Sequence, residues 1–134
     1  MKSYTDLEQS KKLAEILPIE SADMYIYKNV FFGALSCFND TTQIGEYIKL
    51  TDKESRAYPC WSLAALLDVL PNNENISTSL SKGGYRISTL ECTDSWFVDY
   101  EDETNGLNNC VTSADNQVDA CVDMIIKLHE ENLL

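Results

Sequence analysis

Tyr58-Pro59-Cys60-Trp61-Ser62-Leu63-Ala64-Ala65-Leu66-Leu67-Asp68-Val69-Leu70-Pro71 is the stretch on which the fold turns. Ala and Leu carry high helix propensity, Pro59 suits a first turn whose N–H would be orphaned anyway, and Pro71 cannot continue a helix. The run predicts a helix from about Pro59 to Leu70. Its polar side is narrow, with Ser62 and Asp68 alone, so most of its circumference is expected to be covered. Such a helix belongs in a core.

Working toward the N-terminus, Thr51 to Ala57 is charged and aperiodic and reads as a loop. Before it, Met24 to Tyr27, Val30 to Phe38 and Ile44 to Lys49 are rich in aromatic and β-branched residues, and Asn39-Asp40-Thr41-Thr42 offers a turn between the last two runs. This predicts an antiparallel hairpin. Further back, Thr5-Asp6-Leu7-Glu8 has the form of a capping box, with Thr5 as cap and Glu8 reaching back. Leu7, Ser10, Ala14 and Leu17 share one stripe with Leu13 beside it, and Pro18 ends an amphipathic helix.

Toward the C-terminus, Asn72 to Lys82 is polar and turn-like, closed by Gly83-Gly84. Tyr85 to Cys92 and Ser95 to Tyr100 alternate as strands, separated by Thr93-Asp94, and predict a second hairpin. Asn105-Gly106 is a turn signal, so a short strand is expected around Leu107 to Val111. The last helix starts after Thr112-Ser113-Ala114-Asp115-Asn116 and runs to about Glu130. Val118, Cys121, Val122, Ile125 and Leu128 fall at helical spacing, with Met124 and Ile126 widening the stripe. The expectation is an α+β sandwich, in the order helix, hairpin, helix, hairpin, helix. An antiparallel sheet of about four to six strands would pack with three helices. With 134 residues, the chain is expected to form a single domain over 1–134, with an enlarged β insertion at about 28–57.

The composition, 44% hydrophobic and 24% charged with five Gly and three Pro, excludes a disordered or collagen-like chain. No apolar run approaches the ~18 residues of a membrane span, and Met1 to Asp6 lacks a signal-like apolar stretch. The expected location is the cytoplasm. The formal charge of −12 is unevenly spread. Residues 1–90 hold eleven acids and nine bases, whereas residues 91–134 hold eleven acids and only Lys127. Direct nucleic-acid binding through this block is disfavoured, because it rests on Lys and Arg displacing counterions from phosphates. A basic protein is the natural complement, and a solvated, solubilising surface is the plainer alternative.

Cys37, Cys60, Cys92, Cys110 and Cys121 form no C-x-x-C pair, and His129 is the single histidine. That set suits neither a zinc site nor a paired disulfide framework and reads as reduced thiols. Asp99, Glu101 and Glu103 alternate like the start of an EF-hand. The sixth position is then Thr104 rather than Gly, and the twelfth is Cys110 rather than Glu. His129 suits a helix C-terminus. No G-x-S-x-G elbow marks a nucleophilic serine, and Gly83-Gly84 lacks the surroundings of a phosphate loop. No enzyme, metal or cofactor is expected. Tyr58, Trp61, Tyr85, Trp96 and Tyr100 are expected in the core and its edge. In a sharper reading, Tyr58, Trp61, Tyr85 and Trp96 with Arg86 form a stacking pocket for a flat ligand.

Three stretches together carry a resemblance: Ala22-Asp23-Met24, Pro59 to Pro71, and Asn116-Gln117-Val118-Asp119-Ala120-Cys121-Val122-Asp123-Met124-Ile125-Ile126-Lys127-Leu128. They resemble an uncharacterised family of short proteins of gut bacteria and their phages and prophages. In that family a Pro-x-Trp-Ser-Leu helix precedes an Asn-Pro-Val-Asp-Ala-x-x-Glu-Met helix. More remotely, the element order is similar to the phage ABA sandwich domain. Gln117 departs from the family's Pro, and the insertion at 28–57 is extra. The resemblance implies a phage context and a fold, and it assigns no catalytic residues.

The expected function is a non-enzymatic phage or prophage accessory protein that binds a host protein with a basic surface, in a counter-defence role. The expected contact residues are Asp99, Glu101, Asp102 and Glu103. The alternative is a small-ligand binder that sequesters a nucleotide immune signal at Tyr58, Trp61, Tyr85, Arg86 and Trp96, where phosphate would need backbone N–H groups or a base, Arg56, Lys82 and Arg86 being the only ones near these aromatics. The sequence leaves room for a homo-oligomer.

Overall fold

An Asp at position 6 and a Gln three residues on start the first helix. The computed structural model describes residues 2–27, 30–33, 58–83, 85–86, 91–92, 95–103 and 110–134. In it the Asp6 carboxylate accepts from the Gln9 N–H at 2.8 Å, and the Gln9 side chain accepts from the Asp6 N–H at 3.2 Å. Helix α1 therefore spans Leu7–Ile16. The capping box lies one residue later than the sequence suggests, because Thr5 is drawn inside to other partners. The chain divides into two compact units, Ser3–Val69 and Met1–Lys2 with Leu70–Leu134.

In the first unit a 3-10 turn at Ile19–Ser21 leads from α1 into β1 (Met24–Tyr27), which pairs antiparallel with β2 (Val30–Gly33) and with β3 (Tyr58–Cys60). The expected Ile44 to Lys49 strand and its Asn39–Thr42 turn lie outside the described residues. The expected start of the second helix is corrected. Tyr58-Pro59-Cys60 is strand, with Tyr25 opposite Pro59. Pro lacks the N–H for a second ladder, and β3 sits at the edge of the order β2-β1-β3, where that costs nothing. Helix α2 is correspondingly short, Leu63–Val69. Ser62 caps it, its hydroxyl accepting from the Ala65 N–H at 3.2 Å. Asp23 holds Ser62 in turn, accepting from its N–H at 2.9 Å and from its hydroxyl. Ala65 and Leu66 are buried, but Leu67 is 40% exposed, so the helix is less enclosed than its composition suggests.

The core of this unit contains Leu13, Tyr25, Ile26, Trp61 and Leu66 around a small polar knot. Thr5 N–H donates to the Trp61 carbonyl at 2.9 Å, and Trp61 N–H donates to the Thr5 hydroxyl at 3.1 Å. Ser10 Oγ lies 2.8 Å from that hydroxyl, and the Cys60 thiol donates to the Thr5 carbonyl at 3.3 Å. Each buried polar group thus has a partner, which is what burial requires. Beside Thr5, Tyr4 bridges Ser62, and Leu63 N–H donates to the Ser3 carbonyl, so Ser3 to Thr5 runs antiparallel to Trp61 to Leu63.

In the second unit, the stretch expected to be a polar turn contains strand β4 (Ile76–Lys82). Asn73 turns the chain, its side chain accepting from Asn75 and Ile76 N–H groups at 2.8 and 3.0 Å. Ile76, Thr78 and Leu80 are half-buried, while Ser77 and Ser79 between them are exposed, the period of a strand with one wet face. The pairing of the expected second hairpin is also corrected. Tyr85–Arg86 (β5) pairs with Glu91–Cys92 (β6), while Trp96–Asp102 (β7) pairs along its whole length with β4. The other neighbour of β7 is β8 (Cys110–Ala114), extending the short strand expected near Val111. Both sides of β7 are thus taken, by β4 over seven positions and by β8 over five.

Helix α3 spans Gln117–Glu130, as its periodicity indicates. Asn116 caps it, accepting from the Asp119 N–H at 2.8 Å, and Lys2 pairs with Asp119 at 2.7 Å. Val118, Cys121, Met124, Ile125 and Leu128 are buried, and α3 packs on β7 and β8. Thr112 of β8 donates to the Ala120 carbonyl at 2.9 Å, tying strand to helix. At the far end Asn132 has a φ of 58°, with Asn132 N–H bonded to His129 O and Leu133 N–H to Leu128 O. This is a Schellman stop, with Asn taking the left-handed position where Gly is commonest. The fold class is α+β, with three α-helices among the described residues. Among the described residues the antiparallel strands fall in sheets of three, three and two.

Candidate functional site

Strand β7 carries the acidic sequence through the middle of its sheet, and alternation sorts it. Val98, Tyr100 and Asp102 are buried, while Asp99 is half-buried and Glu101 exposed. Of the four residues expected to meet a partner, Glu101 and Glu103 are at the surface and Asp99 is partly so. Asp102 is only 8% exposed and opposes Ile76 in the ladder, so it is not a surface contact.

At the end of β7 nearest Cys110, the second unit has an open cleft of about 360 Å³ lined by Asp99, Tyr100, Glu101, Cys110, Val111 and Lys127. Strand pairing brings most of these together, Tyr100 opposite Cys110 and Asp99 opposite Val111. Lys127 comes from α3, which packs on both strands. Val111 is 43% exposed and supplies an apolar surface. The lining residues thus carry two carboxylates, one ammonium and a thiol, with Tyr100 contributing although its hydroxyl is buried. As contact residues the sequence singled out Asp99 and Glu101; Tyr100, Cys110 and Lys127 it named only as a core-edge aromatic, a reduced thiol and the lone base of the acidic third. Lys127 is the only base of the acidic third, and Tyr100 follows from alternation, so both had a signal.

Tyr100 is 1% exposed, and its hydroxyl is the one buried side-chain polar atom without a hydrogen-bond partner among the described residues. Burial pushes its pKa up, and the negative fields of Asp102, Cys110 and Glu131 push the same way. The Cys110 thiol lies 3.6 Å from Met124 Sδ, and burial raises its pKa while Lys127 pulls it back. Burial also raises Cys60, and it carries Cys121 from the ordinary 9.0 to about 11. A buried thiol held protonated is a poor nucleophile.

These four groups are neutral when protonated, so a raised pKa means that the unfolded chain releases protons first. Their contribution to stability is whole below about pH 9 and is lost as pH climbs toward about 11. We expect the urea midpoint to hold from pH 7 to 8.5 and to fall by pH 10.5, Cys121 accounting for on the order of 2 kcal/mol. A midpoint that stayed level to pH 10.5 would contradict this burial.

The residues of the alternative ligand site are placed as follows. Trp61 is 0% exposed, and its indole N–H donates to Ser21 Oγ at 2.9 Å. It offers no face to a stacked base. Tyr58 is half-buried, with Lys11 Nζ 5.2 Å from its ring centroid. Both belong to the first unit, whereas Tyr85, Arg86 and the half-buried Trp96 belong to the second. The side chains of Tyr85 and Arg86 lie outside the description. No group of three or more His, Cys, Asp or Glu suited to a metal occurs among the described residues, and no helix among them is long and apolar enough to cross a membrane. Comparison with protein-family models, with curated proteins and with solved structures finds no match to this chain.

Proposed function

We propose that this chain is a non-enzymatic binding protein whose acidic C-terminal third engages a basic surface of another protein. The carrying observation is the exposure of Glu101, paired with Ser77 of β4, and of Glu103 just past the end of β7, whose N–H donates to the Asn75 carbonyl at 2.7 Å, within a block where eleven acids accompany one base. Backbone held by these hydrogen bonds presents its carboxylates with less ordering cost than a free loop would. Complementary charge speeds encounter and fixes register more than it adds raw affinity, which suits a protein that must intercept a partner. The phage or prophage setting, a host protein as target and a counter-defence role rest on the resemblance of the Pro59 to Pro71 and Asn116 to Leu128 stretches. The cytoplasm of the host is the corresponding location.

A defined basic probe tests the reading. A hexa-arginine peptide titrated into the full chain at 50 mM salt should bind saturably and weaken at least tenfold by 300 mM, as screening of exposed charges requires. Calorimetry measures both. No binding at 50 mM salt would remove the reading.

A further inference from the structure

The three-stranded sheet of the second unit ends in β4 on one side and β8 on the other, and the two edges are built differently. Glu103 N–H donates to the Asn75 carbonyl at 2.7 Å and Gly83 N–H to the Ser95 carbonyl at 2.6 Å, just beyond the two ends of the β4–β7 ladder. These bonds fix its parity. The odd-numbered residues of β4 and β7 turn their N–H and C=O groups toward each other, and the even-numbered ones turn them away. On β4 the outward groups are met. Ile76 N–H donates to Asn73 Oδ1 at 3.0 Å, Thr78 N–H donates to Asn72 Oδ1 at 3.3 Å, and the Ile76 carbonyl accepts from the Asn73 N–H at 2.8 Å. Two asparagines thus occupy the first half of that edge as a neighbouring strand would. On β7 the even-numbered Val98 and Tyr100 turn toward Thr112 and Cys110 of β8, so Val111 and Ser113 aim their backbone groups at the far side of β8. Among the described residues no hydrogen bond reaches these groups, and both residues are exposed. Strand β8 carries no charge and no proline, and its register with β7 runs without a bulge, so it has none of the devices that blunt an edge.

We propose that the outer edge of β8 takes up an extended segment of the protein partner as an additional strand, with lysine or arginine at alternate positions. This rests on the acidic-surface reading above and names how the partner is held. Backbone pairing at Val111 and Ser113 supplies affinity, and alternate side chains supply selectivity, as in strand addition generally. Charge decides the occupant. A second copy of this chain would set two acidic thirds edge to edge, each with eleven acids and one base, whereas a basic segment meets a complementary field. A residue opposite Val111 continues the cross-strand row of Ser79, Asp99 and Val111. It stands two strand spacings, or about 10 Å, from Asp99. A basic side chain there crosses the exposed Val111 with its apolar stem and brings its charge to the cleft that Asp99, Glu101 and Val111 line.

The probe is the acetylated, amidated peptide Arg-Val-Arg-Val-Arg, titrated into the full chain beside a copy N-methylated at every internal amide. The copy keeps the charge and loses the donors that a ladder needs. The expected result is at least tenfold weaker binding of the methylated copy. With the unmodified peptide bound, amide hydrogen exchange should slow at least tenfold at Val111 and Ser113 and stay unchanged at Thr78, on the edge that Asn72 guards. Ser113→Pro removes one outward donor and spares the bonds to β7, as proline on an edge strand can. It should weaken the unmodified peptide about fivefold and leave the methylated copy within twofold; the comparison of the two peptides stands even if this variant fails to fold. If hexa-arginine binds but the two peptides bind alike, or exchange at Val111 and Ser113 does not slow, this inference is overturned while the acidic-surface reading stands. A chain that sediments as a dimer and becomes monomeric as Ser113→Pro would give the edge to a second copy and overturn it equally. If neither hexa-arginine nor the peptides bind, both readings fall.

Discussion

Trp61→Ala is expected to remove about 3–5 kcal/mol of stability, enough to unfold a substantial fraction of a domain whose total is typically about 5–15 kcal/mol. Trp61 heads the largest fully buried side chains, so truncation leaves a void that surrounding residues only partly fill. Its indole N–H also satisfies Ser21, whose hydroxyl donates in turn to the Pro18 carbonyl at 2.6 Å. The substitution therefore loosens the turn that joins α1 to β1. The Trp61 carbonyl accepts from the Thr5 N–H and the Trp61 N–H donates to the Thr5 hydroxyl, so the cavity opens beside the polar knot of Thr5, Ser10 and Cys60. Trp61→Phe separates the contributions. It keeps most of the apolar volume and loses the N–H, for an expected cost of about 1–2 kcal/mol. Urea denaturation followed by far-UV circular dichroism measures both. A loss below about 1 kcal/mol for the alanine variant would mean that Trp61 is not the packing centre of its unit.

The same residue shows how far the sequence could be read. Trp61 was legible as core because its neighbours are Ala and Leu, yet its element was not. Propensity favours helix from Pro59 onward, but Tyr58 to Cys60 gains a ladder with Met24 to Ile26, which no local signal reports. Tertiary pairing therefore overrode propensity at the start of the very stretch that seemed clearest. Strand β4 failed in the opposite sense. Its period of two was present in Ile76, Thr78 and Leu80, but serine is a weak strand former and the preceding Asn72-Asn73-Glu74-Asn75 signals a turn, correctly, that ends sooner than expected. Helix α3 was legible in its extent because its stripe is long, while the sequence left its cap open among the polar residues from Thr112 to Asn116, of which Asn116 takes the role. At the site, charge counting located Asp99 and Glu101, whereas a tyrosine hydroxyl buried without a partner is a three-dimensional fact. Counting charges could not distinguish the buried Asp102 from the exposed Glu103 beside it.

That distinction governs the second large effect. Glu101→Lys with Glu103→Lys is expected to weaken hexa-arginine binding at 50 mM salt at least thirtyfold, while changing stability by no more than about 0.5 kcal/mol. Both side chains are exposed, so reversal alters the field without disturbing packing. Asp102 must be left in place. At 8% exposure on a central strand, a lysine there would bury a charge stripped of its present surroundings, costing several kcal/mol and unfolding the surface under study. A variant that included Asp102→Lys would lose binding for the wrong reason, and a denaturation curve would reveal it. Total charge is the remaining confounder, because a chain of −12 attracts any cation. Asp115→Lys with Glu130→Lys makes the same change in net charge at two other exposed positions, and it should cost less than fivefold. Equal losses in the two double variants would show that attraction is diffuse and that β7 presents no docking surface. A loss concentrated at Glu101 and Glu103 would locate the surface on β7 and its immediate end, beside the cleft that Tyr100 and Lys127 line.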